Sequence, residues 1–329
     1  MKEKAKKLLN NKEKTLPILS FPSVQLLGIS VKELISSAEM QVKGMKAIAD
    51  RCPMGAALNM MDLSVEAEAF GCTVRCPENE VPTVEKGVLE DISRAAGLTV
   101  PPVGAGRTSL YIEGVRLACK EITDRPVFCG VIGPYSLAGR LFDMTELMME
   151  CYDSPEDVKL LLEKVTEFLI AYIQAFKEAG ADGVVMAEPA AGLLSPDLAE
   201  EFSAPYVKRI FEAVGSEDFL LCYHNCGNAV GDMAEQIAAL RADIYHFGNA
   251  IDLKALIPRM PAESIVMGNL DPLLFVDGTP EVIGAELRRI HGECGGYENF
   301  MLSSGCDIPP RAKWENLDAY FQTVQAIYG

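Results

Sequence analysis

The feature that most limits how this chain can fold is a short apolar run, repeated many times, each followed by an amphipathic stretch. Pro126-Val127-Phe128-Cys129-Gly130-Val131-Ile132, Gly183-Val184-Val185-Met186-Ala187, Phe219 to Tyr223, Asp243-Ile244-Tyr245-His246-Phe247, Ser264-Ile265-Val266-Met267 and Phe300-Met301-Leu302 are continuous rather than alternating in polarity. Strands of that kind belong to parallel sheets covered on both faces. Helical periodicity fills the intervals: residues 155–179, with Pro155 in the first turn and Gly180 closing it, then 196–214, 231–241, 280–293 and 312–327. Two earlier runs, Leu16 to Phe21 and Gly55 to Met61, bring the expected strands to eight. Eight such repeats predict an α/β protein closed as a (β/α)8 barrel with an N-terminal helical elaboration. An open doubly wound sheet is the alternative, but no glycine-rich nucleotide turn follows the first run.

A barrel takes roughly 250 residues before insertions, so the 329 residues are expected to form a single TIM-barrel domain, 1–329. Residues 2–14 read as a charged, exposed helix, and 31–49 as a helix with Leu34, Ile35, Ala38 and Val42 on one face. Residues 71–104 are rich in Pro, Gly and acidic side chains and lack periodicity, which predicts a lid or insertion over a site. The net charge of −17 argues against nucleic acid and against anionic membrane surfaces. No apolar run approaches the roughly 18 residues of a membrane span. No secretory leader is visible, and the ten cysteines are scattered. A cytoplasmic location with reduced thiols is expected.

In a barrel, chemistry gathers where strands end. The polar residues that interrupt the apolar runs are Asp62, Glu188, His224, His246, Asn269, Asp271 and Cys306. His224 and Cys226 are two apart, so they can face one target from a strand end. An imidazole and a thiolate together suit zinc, with Cys306 of the Gly305-Cys306-Asp307 turn as third ligand and a fourth position open. The other reading of the pair is core lining, and H-x-C spacing alone does not decide between them. Glu188 is a displaceable fourth ligand, an acceptor for the His224 ring, or a helix N-terminal carboxylate. His246 reads as a hydrogen-bonded pocket wall. Cys222 reads as core; Cys52, Cys119, Cys129 and Cys151 as packing; His291 and Cys294 as structural. Gly104-Ala105-Gly106 lacks the rest of a nucleotide fingerprint and reads as a plain turn.

Tyr223-His224-Asn225-Cys226-Gly227, Met267-Gly268-Asn269-Leu270-Asp271-Pro272 and Leu302-Ser303-Ser304-Gly305-Cys306-Asp307-Ile308-Pro309-Pro310 resemble the uroporphyrinogen decarboxylase superfamily. Within it they resemble the zinc-dependent branch of methylcobamide:coenzyme M methyltransferases. That resemblance implies a TIM barrel holding Zn2+ on His224, Cys226 and Cys306. It implies an enzyme that moves a methyl group between a corrinoid and a thiol or other small methyl donor or acceptor. Among the strand-end residues, Glu188, His246 and Asp62 are the catalytic candidates, and Asn269 and Asp271 the cofactor-side candidates. Asp62 is the position resembling the aspartate that true decarboxylases aim at pyrrole nitrogens. Their N-terminal R-x-x-G-R motif is missing: residues 15–35 hold no arginine. None of the three histidines sits in a corrinoid-binding D-x-H-x-x-G motif, so methylcobalamin is expected as a co-substrate on a separate corrinoid protein. The alternatives are a metal-free decarboxylase-like lyase and a non-catalytic barrel that binds a corrinoid protein.

Overall fold

A computed structural model describes residues 1–10 and 14–329. In chain order its strands are β1 (Ala57–Leu58), β2 (Thr73–Arg75), β3 (Thr83–Lys86), β4 (Val127–Ile132), β5 (Gly183–Ala187), β6 (Leu220–Asn225), β7 (Ile244–Phe247), β8 (Ile265–Leu270) and β9 (Phe300–Ser304). Seven of them form one parallel sheet in the order β1-β4-β5-β6-β7-β8-β9, while β2 and β3 make a separate antiparallel pair. The seven-stranded sheet is curled. Thr15 bridges Leu302 on the β9 edge, and its carbonyl accepts the Gly55 N–H at 2.9 Å, just before β1.

The expected strand at Leu16 to Phe21 departs from a regular ladder. Thr15 makes the single backbone bridge, because Pro17 has no N–H to donate. Serine side chains from β9 take over. Ser303 Oγ donates to the Leu16 carbonyl at 2.7 Å, and the Ile18 N–H donates to Ser304 Oγ at 3.0 Å.

Register sets which side chains face inward. Ile132, Ala187, His224, His246, Met267 and Met301 are successive partners across β4 to β9. Partners in a pleated sheet share a face, so these six form one layer inside the curl. The opposite face is covered by helices. The Pro155–Glu178 helix alone buries Leu161, Leu162, Val165, Phe168, Leu169, Ile173 and Phe176, each worth about 1.5–3 kcal/mol of transfer free energy.

The helix expected to be exposed at 2–14 is instead a plug. It spans Glu3–Leu9 and buries Ala5 and Leu8; residues 11–13 lie outside the described residues. Lys2 Nζ donates to Asp243 Oδ2 and the Phe219 carbonyl, both at 2.9 Å. Lys4 Nζ donates to Asp182 Oδ1 and the Asp218 carbonyl, both at 2.7 Å. Those acceptors precede β5, β6 and β7, so the helix closes the end of the sheet opposite the polar strand ends. Its lysines made it look solvated, although their partners were acidic turns far away in sequence.

Other expected helices break at their caps. The 31–49 stretch divides into Val31–Ile35 and Ala38–Arg51, capped by Ser30 and Ser37. The 196–214 stretch divides at Ser203, and 231–241 shortens to Ala234–Ala238. Two helices that the sequence did not announce, Pro134–Leu141 and Met144–Asp153, follow β4. Residues 71–104 contain the β2–β3 hairpin and a 3-10 turn, Ile92–Gly97. They lean on the Pro134–Leu141 helix: the Leu89 N–H donates to the Leu141 carbonyl at 2.9 Å. A Cβ at Gly87 would lie 2.5 Å from the Leu141 and Phe142 carbonyl oxygens, so only glycine permits this approach. Among the described residues, no helix is long and apolar enough to cross a membrane.

Candidate metal centre

β6 carries His224 to the end of the sheet, where its inward side chain is 2% exposed. The chain then turns. Asn225 Oδ1 accepts the Gly227 N–H at 2.9 Å, and Asn225 Nδ2 donates to Tyr223 Oη at 3.1 Å. That turn aims Cys226 back over the same opening. Gly248 backs it closely: a Cβ there would sit 2.6 Å from Cys226 Cα. Cys306 arrives from the turn after β9, which the Gly305 N–H ties to the Leu270 carbonyl at 2.6 Å.

The three side chains converge. Cys306 Sγ lies 3.5 Å from His224 Nε2 and 3.9 Å from Cys226 Sγ. All three ligating atoms are within 4.8 Å of one another, and among the described residues no other such group of three occurs. His224 Nδ1 lies 3.2 Å from the His246 carbonyl oxygen. Donating there leaves Nε2 with its lone pair toward the sulfurs, the tautomer a metal ligand needs. The Cys306 thiol donating to Cys226, followed by His224, pulls Cys226 down to about 4. The same contact and burial push Cys306 up.

His246 buttresses this group without joining it. Its ring packs on His224 with centroids 4.6 Å apart. Its Nε2 is 2.5 Å from the Ser304 carbonyl and 3.2 Å from Ser303 Oγ. Burial drives its pKa well down, so the ring is neutral, and among the described residues its Nδ1 has no partner.

Glu188 turns the other way. Its oxygens accept the Tyr135 N–H at 2.9 Å, the Ser136 N–H at 2.7 Å and the Ser136 hydroxyl. Those donors begin the Pro134–Leu141 helix, so of the three readings of Glu188 the geometry matches the helix N-terminal carboxylate. Burial lifts its pKa to about 7 against those hydrogen bonds.

Asp62 is likewise engaged elsewhere. It accepts from Arg107 Nη1 at 2.5 Å, Tyr111 Oη at 2.8 Å and Ser64 Oγ at 2.6 Å, and Arg107 also reaches Glu68 at 2.6 Å. Asn269 Nδ2 donates to the Gly248 and Ile251 carbonyls at 3.0 and 2.8 Å. Asp271 Oδ1 accepts the Leu273 N–H at 2.9 Å. Both line a groove of about 610 Å³ with Asn249, Asp252 and Arg289, a lining that does not include the three ligands.

Sequence reasoning missed Arg107, Glu66 and Asp307. Arg107 follows the Gly104-Ala105-Gly106 turn, and a lone basic residue at a glycine turn was its only signal. Glu66 is 1% exposed; one oxygen accepts the Ile132 N–H at 3.0 Å and the other has no partner among the described residues. Its signal was an acid between Val65 and Ala67. Asp307 Oδ1 is buried without a partner among the described residues, and burial raises its pKa well above the carboxylate range.

The sequence resembles known proteins along most of its length. It is 26% identical over 265 residues to a methylcobamide:CoM methyltransferase of Methanosarcina acetivorans, covering 78% of this chain and 75% of that one. It is also 26% identical over 295 residues to a uroporphyrinogen decarboxylase of Xylella fastidiosa, covering 84% and 81%. A solved methyltransferase from Methanosarcina mazei shares the fold with a TM-score of 0.85 at 23% identity, covering 95% of this chain and 94% of that one. The resemblance read from the His224, Asn269 and Cys306 motifs is borne out. The uroporphyrinogen decarboxylase (URO-D) family profile matches residues 22–327, and the chain belongs to that family.

Proposed function

We propose that this chain is a zinc-dependent methyltransferase. It moves a methyl group between a corrinoid, carried on a separate protein, and a thiol or other small methyl donor or acceptor. The observation that carries this reading is the convergence of His224, Cys226 and Cys306 within 4.8 Å at the end of the curled sheet. One nitrogen and two sulfurs are the donor set zinc favours, and the His246 carbonyl already orients His224 for it. Similarity to the methylcobamide:CoM methyltransferase supports the methyl-transfer reading.

Zinc, when bound, supplies a Lewis acid that holds a substrate thiol deprotonated near neutral pH. The protein residues do the rest. His224, Cys226 and Cys306 leave a fourth position for the substrate. The neutral His246 ring fills the space behind His224 and excludes water. A corrinoid protein docks over the opening. A metal-free decarboxylation is the weaker reading, because the Asp62 carboxylate is already taken by Arg107, Tyr111 and Ser64.

This reading treats the curled sheet as a (β/α)8 barrel with residues 15–20 as its eighth stave, and residues 1–329 as one domain. It treats 71–104 as a lid and places the protein in the cytoplasm. The Thr15 links to both sheet edges support closure, and ten free cysteines accord with a reducing compartment. The test combines elemental analysis with loss of methyl from free methylcobalamin against a panel of thiols and tetrahydrofolate. About one zinc per chain and zinc-dependent turnover are expected. A metal-free preparation with full activity would sink the reading.

A further inference from the structure

Cys226 is held differently from His224. His224 lies within β6, where its pairing with Ala187 on β5 and His246 on β7 fixes it. Cys226 comes one residue past the end of β6, beyond the Asn225–Phe247 pair that closes the ladder. The side chain before it takes over. Asn225 Oδ1 accepts the Gly227 N–H at 2.9 Å, and this two-residue reach closes a turn around Cys226. The Asn225 carbonyl also accepts the Gly248 N–H at 3.2 Å, which ties the turn to the backbone behind Cys226.

Asn225 is out of keeping with its place on the strand. Side chains two apart share a face, so Asn225 follows Leu221 and Tyr223 on the outer, apolar face of β6. It is 0% exposed, and a buried amide costs stability unless both its ends are bonded. Both are: Oδ1 holds Gly227, and Nδ2 donates to Tyr223 Oη at 3.1 Å. The amide faces only one way, because turning it over would set Nδ2 against the Gly227 N–H, donor against donor.

The Pro189–Leu193 turn backs this arrangement from the β5 side. A Cβ on Gly192 would lie 2.5 Å from both Asn225 Oδ1 and Gly227 Cα, and a Cβ on Gly227 would lie 2.4 Å from Gly192 Cα. The two glycine backbones therefore pack directly on each other. Neither the Asn225 acceptor nor the Gly227 donor can back away while the 189–193 turn stays in place. That turn is itself pinned, since the Ala190 N–H donates to Ser136 Oγ at 3.0 Å.

We propose that Asn225 is the positioning residue for Cys226 and that Gly192 is its backstop. Together they hold the Cys226 sulfur where His224 and Cys306 converge, and without them the site loses one of its two protein sulfurs. This rests on the metal reading of the three-ligand site and adds two residues that act on the metal only through Cys226.

The test is the zinc affinity of the full-length chain, by competition with a chromogenic chelator, read beside the absorption of the cobalt(II)-loaded protein. The thiolate-to-cobalt band of the latter reports how many sulfurs bind. Asn225→Ala removes the acceptor and is expected to weaken zinc about 10–100-fold, with the band falling toward that of Cys226→Ser. Asn225→Asp keeps an oxygen for Gly227, and the Tyr223 hydroxyl can donate to its other oxygen, so affinity and band should stay close to wild type. Gly192→Ala should behave like Asn225→Ala, and if either variant does not fold the other decides. Gly215→Ala, whose Cβ would lie 2.7 Å from the Phe211 carbonyl oxygen ahead of β6, is the control for crowding alone: it should lose stability and keep its zinc. Wild-type affinity and band in Asn225→Ala or Gly192→Ala, or equal losses in Asn225→Ala and Asn225→Asp, would overturn the proposal while leaving the metal reading intact. A wild-type chain that binds neither zinc nor cobalt(II) would reject the metal reading, and the proposal with it.

Discussion

Glu66 gives a pH signature that can be worked out from its surroundings. Its side chain is buried, one oxygen accepts the Ile132 N–H and the other has no partner among the described residues. Burial raises its pKa from the ordinary 4.5 to about 7, with Asp62 adding and the hydrogen bond and Arg107 opposing. The folded protein therefore keeps this proton up to about pH 7, whereas the unfolded chain releases it near 4.5. Between those values the native state binds more protons, so stability falls as pH rises. The gap of about 2.5, at about 1.4 kcal/mol per pH unit, amounts to about 3 kcal/mol. Glu66→Gln keeps the acceptor for Ile132 and cannot ionise. Its amide nitrogen adds a cost that is the same at every pH, so the slope is the readout. Urea unfolding at pH 4.5, 6 and 8 should show the variant losing about 3 kcal/mol less than wild type over that range. Parallel pH profiles for the two proteins would refute the argument.

Three further outcomes are expected. Gly248→Ala forces a Cβ to within 2.6 Å of Cys226 Cα; the displaced ligand should weaken zinc binding about 10–100-fold, measured by competition with a chromogenic chelator. Glu188→Gln should leave zinc content unchanged while costing about 1–3 kcal/mol of stability, and loss of zinc from this variant would return Glu188 to the ligand set. Leu8→Ala removes a side chain that is 3% exposed and should cost about 2–5 kcal/mol by chemical unfolding, whereas a cost near zero would mean the Glu3–Leu9 helix is not a plug.

The sheet was legible because its strands are apolar on both faces, from Val127 to Ile132 and from Gly183 to Ala187. Their ends were less so. β6, β8 and β9 run on through His224-Asn225, Gly268-Asn269-Leu270 and Ser303-Ser304. The ladder continues there while the side chains turn polar to serve the opening, so hydropathy alone stops too early. The β2–β3 hairpin was invisible because most of its residues are exposed, which erases the alternation a half-buried hairpin would show. His224, Cys226 and Cys306 were legible from residue chemistry at strand ends. The direction of Glu188 was not: it depends on Tyr135 and Ser136, some fifty residues earlier, in a helix without a clear periodic signal. Arg107 hid for the same reason, since its partner Asp62 lies 45 positions away.

The most direct test of the account is X-ray absorption at the zinc edge, on the protein as purified and after adding a substrate thiol. One nitrogen at about 2.0 Å and two sulfurs at about 2.3 Å are expected, rising to three sulfurs with thiol. Absence of zinc, fewer than two sulfurs, or a coordination shell unchanged by thiol would contradict it.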